Sequence, residues 1–423
     1  MFDIESAIEQ ALPEHRQALK EERQNYERIH ADAKAVLAEV GIEIRSKEVI
    51  ALLEATGLAA YDATVGRIYL LPELIDASID STATSFAGDE GMNTLGIGGI
   101  PPFLYRPSDP YPMPATYAEL ERTVDLVAEN VDVVRFFSQP VKVHKGDPLE
   151  CNRIMDRLGD CLKVTCSAYM SGVDAVKWFA GREDWHDSIC GVKSPLIGMD
   201  DMMEALIRSA RAGNNLRLTT MPLVGRTAPQ TPEGCMFITH AEVLFMLAVA
   251  QTAHPGILCM HGGMPCTTRP DGDLDYSHAG MNLLNVAMAR LNLWVTGLPS
   301  VQSGGSTGAK EPGLKALNDG INGRQILCEF GVHHARHCFG VLDNLNFFSE
   351  EAFAADCQAH RDYLKSRPGN STLKPLYLPK DDHAIEVIGR VASTDYHVDY
   401  HTTANLSVFD DWARKVEKEV RVA

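Results

Sequence analysis

A few short segments of this 423-residue sequence concentrate residue types able to do chemistry. His397-Val398-Asp399-Tyr400-His401, read as a strand, sets three metal-type ligands on one face, since alternate strand residues share a side. With His333, His334 and His337 they make a metal-dependent hydrolase the competing expectation. Against it, the chain has no His-x-His pair of the kind barrel amidohydrolases place after their first strand. Gly304-Gly305-Ser306-Thr307-Gly308-Ala309-Lys310 has the outline of a phosphate-binding loop, but Ala309 intervenes before the lysine and no Ser or Thr follows. The phosphate-binding-loop reading is rejected. Four segments remain: Val224-Gly225-Arg226-Thr227-Ala228-Pro229, His261-Gly262-Gly263-Met264-Pro265, Gln302-Ser303-Gly304-Gly305-Ser306-Thr307, and His337-Cys338-Phe339-Gly340 running on to Asp343. Their glycines let backbone approach a ligand closely, though glycine serves plain turns equally well.

These segments follow short β-type runs that alternate with longer helical ones. The predicted strands are Val134–Val141, Leu162–Tyr169, Ser188–Ser194, Arg217–Leu223, Ile257–His261, Leu293–Val301 and Ala335–Leu342, with an eighth around Asn93–Tyr105. The predicted helices are Glu150–Leu158, Val173–Ala180, Met202–Arg211, Pro232–Ala253, His278–Leu291, Leu314–Phe330 and Glu350–Leu364. Thr231 before Pro232, and Ser349 before Glu350, are start signals. Strands without polar alternation suit a sheet covered on both faces, and the βα alternation implies parallel strands with helical crossovers. The expected fold is therefore α/β, a (β/α)₈ TIM-type barrel with an N-terminal helical extension. An open sheet is the alternative, but no glycine-rich dinucleotide fingerprint follows an early strand. In such a barrel, functional residues come from strand C-termini and the loops after them. The division expected is a helical segment over 1–92, with helices near Gln17–Val40 and Lys47–Ala55 and a strand near Arg67–Leu71, the barrel over 93–376, and an extension over 377–423.

A net charge of −18 disfavours a nucleic-acid backbone or an anionic membrane surface as partner. The ten cysteines include no CxxC pair and sit mostly in apolar stretches, as expected in a reducing compartment. No basic segment followed by an apolar run opens the chain, and the expected location is cytoplasmic, with no membrane partner.

Several of these residues also carry a resemblance. Met221-Pro222-Leu223-Val224-Gly225-Arg226-Thr227-Ala228-Pro229-Gln230-Thr231, followed by Ala241-Glu242-Val243-Leu244, is similar to a P-x-x-G-x-T-A-P-x-T and A-E-x-L pattern. Gln302-Ser303-Gly304-Gly305 through Lys310 resembles a G-G-x-T-D-S-K loop, and His337 through Asp343 an H-x-x-G-W-L-[ED] strand. Ile29-His30, Val40-Gly41-Ile42 and Ser194-Pro195-Leu196 fit the same family, that of the trimethylamine and glycine betaine methyltransferases. Gly308 stands where the family usually has Asp, Gly313 lies near a second expected Asp, and Val341 replaces its Trp.

The resemblance implies a barrel enzyme that passes a methyl group from a small quaternary or tertiary methylated amine, betaine-like in kind, to a corrinoid (cobalamin) carried by a separate protein. No tightly bound cofactor or metal is expected in this chain, and a homo-oligomer is expected. Because a quaternary ammonium leaves as a neutral amine, the protein's task is positioning and charge stabilisation. His337, His261 and Ser303 are the candidate catalytic residues, which must then gather at one end of the barrel. Tyr105, Tyr169, Phe339 and Asp343 are candidates for holding the cation, with Tyr276 on a nearby loop. Arg226 or His337 could receive a substrate carboxylate, and Gln302 completes the candidate substrate-binding set. A catalytically inactive ligand-binding relative is the further alternative.

Overall fold

The computed structural model describes residues 4–84, 94–109, 111–158, 166–169, 180, 182, 185–269, 274–366, 373–379 and 412. Eight parallel strands form one sheet: β1 Thr94–Ile97, β2 Phe136–Ser138, β3 Cys166–Tyr169, β4 Trp185–Ile189, β5 Asn215–Thr220, β6 Cys259–Gly263, β7 Val301–Ser303 and β8 His334–Arg336. Their spatial order is β6-β5-β4-β3-β2-β1-β8-β7. The two edge strands also meet: the His261 N–H donates to the Pro299 carbonyl at 2.8 Å, beside a parallel bridge from His261 to Ser300. Phe136 of β2 touches His186 of β4 at 5.4 Å, the Arg217 guanidinium of β5 at 5.7 Å and His334 of β8 at 5.9 Å between centres. A flat sheet cannot bring β2, β5 and β8 onto one ring, so this sheet curls around its inward face.

Among the described residues a helix follows every strand but β3. They are Tyr117–Ala128, Pro148–Asp156, Asp200–Arg211, Pro232–Ala253, Ala279–Leu291, Leu314–Phe330 and Glu350–Ser366. The expected helix Val173–Ala180 lies outside the described residues apart from Ala180. The Thr231 hydroxyl accepts from Gly234 N–H, with Pro232 in the first turn, so the predicted start holds. Thr116 and Glu119 cap the Tyr117–Ala128 helix reciprocally, a helix absent from the sequence-based expectation.

Three expected strands are corrected. Leu293–Val301 gives way to a π-helical turn, Asn292–Thr296, before β7. The Asn292 side chain donates to the Leu298 carbonyl at 2.7 Å, and Gly297, at φ 68°, ends the turn. Ala335–Leu342 is broken at His337, whose φ of 67° no strand accommodates. Val341–Leu342 instead joins Phe347–Phe348 and Phe103–Leu104 in a three-stranded sheet. Ser188–Ser194 splits into the end of β4 and a hairpin strand, Val192–Lys193.

The N-terminal segment holds helices Ile4–Gln10, Pro13–Glu39, Lys47–Glu54 and Pro72–Ser81. It also holds three strands, Ile42–Glu43, Ala59–Asp62 and Arg67–Leu70, which share a sheet with the hairpin after β4. The Pro13–Glu39 helix lies along the Pro232–Ala253 helix, joined by an ion pair from Arg28 to Glu233. Among the described residues Pro232–Ala253 alone is long and apolar enough to cross a membrane, and its apolar window is wholly buried inside the protein. Glu22 ties three elements together. It pairs with buried Arg290 at 2.9 Å and accepts from the Leu376 N–H at 2.8 Å. The eight cysteines whose side chains are described are all free.

Candidate active site

Register decides which strand residues face inward, because parallel partners share a face and neighbours along a strand alternate. Arg217 pairs in register with Ser188 and Met260, while His334 and Arg336 pair with Val301 and Ser303. With Phe136 and His186 these line the inward face. Leu218, His261, Ser300 and Gln302 share the outward face, as do Asp187 and Thr220. The helical layer confirms that parity, since Asp187 accepts from Ser209 at 2.9 Å and Thr220 bonds Glu242.

Ser303 and His337 meet at the C-terminal ends of β7 and β8, with Ser303 Oγ 2.7 Å from His337 Nδ1. The left-handed backbone at His337 turns its ring there. His337 Nε2 has no hydrogen-bond partner and abuts Gly99 at φ 118°, where a Cβ would stand 2.6 Å from that nitrogen. Tyr276 packs edge-on to His337 at 6.1 Å. Burial, then the Arg336 and Arg217 charges, hold His337 well below the ordinary histidine value, so its ring is neutral. A neutral ring with Nδ1 engaged by a hydroxyl can present Nε2 to a ligand as donor or acceptor according to tautomer. His186, 0% exposed, is lowered by burial, then by Arg217, His334 and Arg336, and neither of its ring nitrogens has a hydrogen-bond partner.

His261 is not brought to this pair. Its ring faces the Pro232–Ala253 helix, with Nε2 3.1 Å from His240 Nδ1, and His240 Nε2 lies 2.9 Å from His30 Nδ1. Gly263 N–H donates to His261 Nδ1 at 3.3 Å. That donor assigns each tautomer in turn: His261 Nε2–H donates to His240, and His240 Nε2–H to His30. The chain requires three neutral rings. Burial supplies that condition, lowering His261 to about 3, His30 to about 4, and His240 well below its usual value.

The remaining candidates scatter. Gln302 lies on the outward face, its buried amide without a hydrogen-bond partner. Phe339 is core: it packs against Phe353 and His360, with the Arg324 guanidinium 5.3 Å from its ring. Tyr105 packs edge-on to Phe347 in the small sheet. Asp343 accepts from Asn346 at 3.1 Å in a turn of left-handed residues. Arg226 is half-buried in the loop after β5, while Glu233 is engaged by Arg28. Tyr169 lies in β3 and its side chain lies outside the described ones. In the glycine-rich loop, Thr307 donates to Asp319 at 2.6 Å and Gly308 N–H donates to Ser277 at 2.7 Å, which fixes the loop beside Ser303.

Among the described residues no group of three His, Cys, Asp or Glu is placed to hold a metal ion, and His397, Asp399 and His401 lie outside them. Sequence reasoning overlooked Arg217, Arg336 and His186. The available signal was a charged or imidazole side chain inside an otherwise apolar strand run, which a structure must place inward or outward.

An α/β fold with polar groups meeting at the C-terminal ends of a curled parallel sheet has the layout in which barrel-type enzymes place their chemistry. The trimethylamine methyltransferase (MTTB) family model matches residues 156–409, and the chain belongs to that family. It is 22% identical over 437 residues to the glycine betaine methyltransferase of Desulfitobacterium hafniense (strain Y51), covering 93% of this chain and 88% of that one. It is 24% identical over 240 residues to trimethylamine methyltransferase MttB of Methanosarcina barkeri (strain Fusaro / DSM 804), covering 54% of this chain and 47% of that one. The crystal structure of the Methanosarcina barkeri monomethylamine methyltransferase superposes with a TM-score of 0.52 at 10% identity, over 94% of this chain and 93% of that one. That likeness shows a shared fold.

Proposed function

We propose that this chain transfers a methyl group from a small quaternary or tertiary methylated amine, betaine-like in kind, to a corrinoid carried by a separate protein. Family membership over residues 156–409 carries the proposal. The Ser303–His337 pair at adjoining strand ends supports it by supplying a polar site where such a fold keeps its chemistry. In this reading the curled sheet is a closed (β/α)₈ barrel over 93–376, in a cytoplasmic, homo-oligomeric protein.

A corrinoid, when delivered by its own protein, supplies the strong nucleophile that accepts the methyl group. Glycine at 98, 99 and 304 is a packing requirement of the strand ends, because a Cβ at each would collide with Ser138, His337 and Asn282 respectively. The chain's own residues position the amine. A quaternary nitrogen departs as a neutral amine, so no acid is needed, and a His337 held neutral agrees with that demand. Ser303 fixes the His337 ring, and Nε2 is left to contact the substrate. Incubating the purified protein with reduced cobalamin and a panel of methylated amines tests the proposal by the visible spectrum of the corrinoid. One amine should drive methylation at a rate proportional to enzyme. No methylation from any member, with the free or the protein-borne corrinoid, would overturn it.

A further inference from the structure

Asp319, in the second turn of the helix Leu314–Phe330, turns its carboxylate toward loops that belong to other strands. Its Oδ2 accepts from the Ser277 hydroxyl at 2.8 Å, the Thr307 hydroxyl at 2.6 Å and the Lys315 ammonium at 2.6 Å. Each hydroxyl also accepts: Ser277 Oγ receives the Gly308 N–H at 2.7 Å, and Thr307 Oγ1 the Ala309 N–H at 2.9 Å. The loop after β8 is joined to the same residues. Asn344 N–H donates to the Thr307 carbonyl at 3.0 Å, and Asp343 N–H to the Ala309 carbonyl at 2.8 Å. The Asn344 side-chain oxygen accepts from Tyr276 N–H at 3.0 Å. Segments that follow β6, β7 and β8 are thus linked through one carboxylate.

Asp343, Asn344 and Leu345 follow one another at φ 48°, 53° and 71°, a left-handed run that residues other than glycine keep only where surrounding contacts over-determine it. The strand end beneath is anchored separately. Ser303 N–H donates to Asn285 Oδ1 at 3.0 Å and Gly305 N–H to Asn282 Oδ1 at 2.9 Å, both from the helix Ala279–Leu291. Beyond Gly305 the loop depends on Asp319. So does the segment carrying Tyr276, the neighbour of Ser277, whose ring lies edge-on to His337. We propose that Asp319 is a positioning residue for the methyl-transfer site: by tying these loops to one helix it fixes their placement around the Ser303–His337 pair. Asp319 acts through Ser277 and Thr307 rather than on the substrate. A displacement of about 1 Å at a reacting centre can cost about 100-fold in rate, so losing the tie should slow turnover more than it weakens binding. The inference rests on the methyl-transfer reading for the step it serves, while the tie itself can be read without turnover.

Two measurements on the full chain test it. Amide hydrogen exchange needs no substrate. Asp319→Ala should speed exchange at Tyr276, Gly308, Ala309 and Asn344 together, by about tenfold or more, while Ser303 and Gly305 stay protected. The second measurement is single-turnover methylation of reduced cobalamin by the amine that the panel finds active. Its amplitude counts competent molecules and its rate constant reports their geometry. Asp319→Ala should lower the rate constant about 30-fold, and Asp319→Asn, which keeps one acceptor oxygen, about 5-fold, with the half-saturating amine concentration within about 3-fold. A purely structural role would lower the amplitude and leave the rate constant. Adding Ser277→Ala to Asp319→Ala should cost less than about 2-fold more, because that link is already gone. If the alanine variant does not fold, Asp319→Asn and Ser277→Ala carry the same comparison. An undiminished rate constant in these variants overturns the inference, as does faster exchange confined to one of the three loops. No methylation by the unaltered protein would remove the transferase reading, and exchange would still decide whether Asp319 ties the loops.

Discussion

His261 on β6 has both ring nitrogens engaged, one by Gly263 N–H and one by His240, whereas His337, just beyond β8, keeps Nε2 open beside Gly99. Both are buried, both are held neutral, and both occupy strand-end segments rich in glycine. Strand parity separates them. His261 shares the outward face with Ser300 and meets the helical layer, while a left-handed turn at residue 337 carries the second imidazole to Ser303. A polar group whose hydrogen bonds are all met inside the scaffold contributes to folding. One left with an open nitrogen beside cations has capacity for a ligand.

The sharpest way to break that contrast is to remove each ring in turn. His337→Gln is expected to lower kcat/KM for methyl transfer by about 100-fold, the scale for losing one positioned group in a closed site. Calorimetric melting should move little. An unchanged rate would put the reacting atoms elsewhere. His261→Ala should act on stability instead, costing about 1–3 kcal/mol by leaving His240 Nδ1 and Gly263 N–H without a partner. Urea unfolding measures this, and kcat/KM of the folded fraction should hold. A large activity loss at constant stability would return His261 to the catalytic set.

Acid should separate the two regions less strongly. His30, His240 and His261 have values below the ordinary 6.5, so they take up protons far more readily when unfolded. The stability they confer is complete above pH 6.5 and is lost as pH falls toward about 4 for His30 and about 3 for His261. Each fully buried ring contributes a slope of up to about 1.4 kcal/mol per pH unit. Asp187 and Glu242, raised by burial to about 6 and about 7, act in the opposite sense. A His240→Gln, His261→Gln double variant should therefore lose stability more gradually than the unaltered protein between pH 6.5 and 5, as read from urea midpoints. Equal slopes would mean that the fold holds neither of these rings neutral. The smallest effect is expected at Arg226, where Arg226→Gln should leave both stability and substrate preference unchanged. A lost preference for carboxylate-bearing amines there would place a substrate contact in the loop after β5.

The sequence exposed the scaffold better than the site. Pro232–Ala253 and Leu314–Phe330 stand at their expected bounds because their ends are marked locally, by Thr231 and Pro232 in one case and by Gly313 and Gly331 in the other. The alternation of strand and helix was equally plain. What a strand covered on both faces withholds is its parity, since neither side is marked by solvent-facing polar residues. Hence His261 and Gln302 looked inward in sequence and lie outward in space, while Arg217 and His186 attracted no notice. Phe339 was misread for a related reason. The chain reverses at His337, so residues expected to continue β8 pack instead against the Leu314–Phe330 and Glu350–Ser366 helices. The motif around His240 and Glu242 identified the family through residues that serve the frame, with Glu242 accepting from Leu196 N–H and Ser194 to hold the hairpin after β4.

The contact between Glu22 and Arg290 sets how short this protein can be made. Trimming the chain past the Pro13–Glu39 helix would strip the one acid from a guanidinium 2% exposed, and release the Leu376 amide in the same cut. It would also wet one side of the Pro232–Ala253 helix, whose greasy surface would then seek other molecules. The leading segment is thus a wall of the enzyme, and a shortened version should be recovered as aggregate.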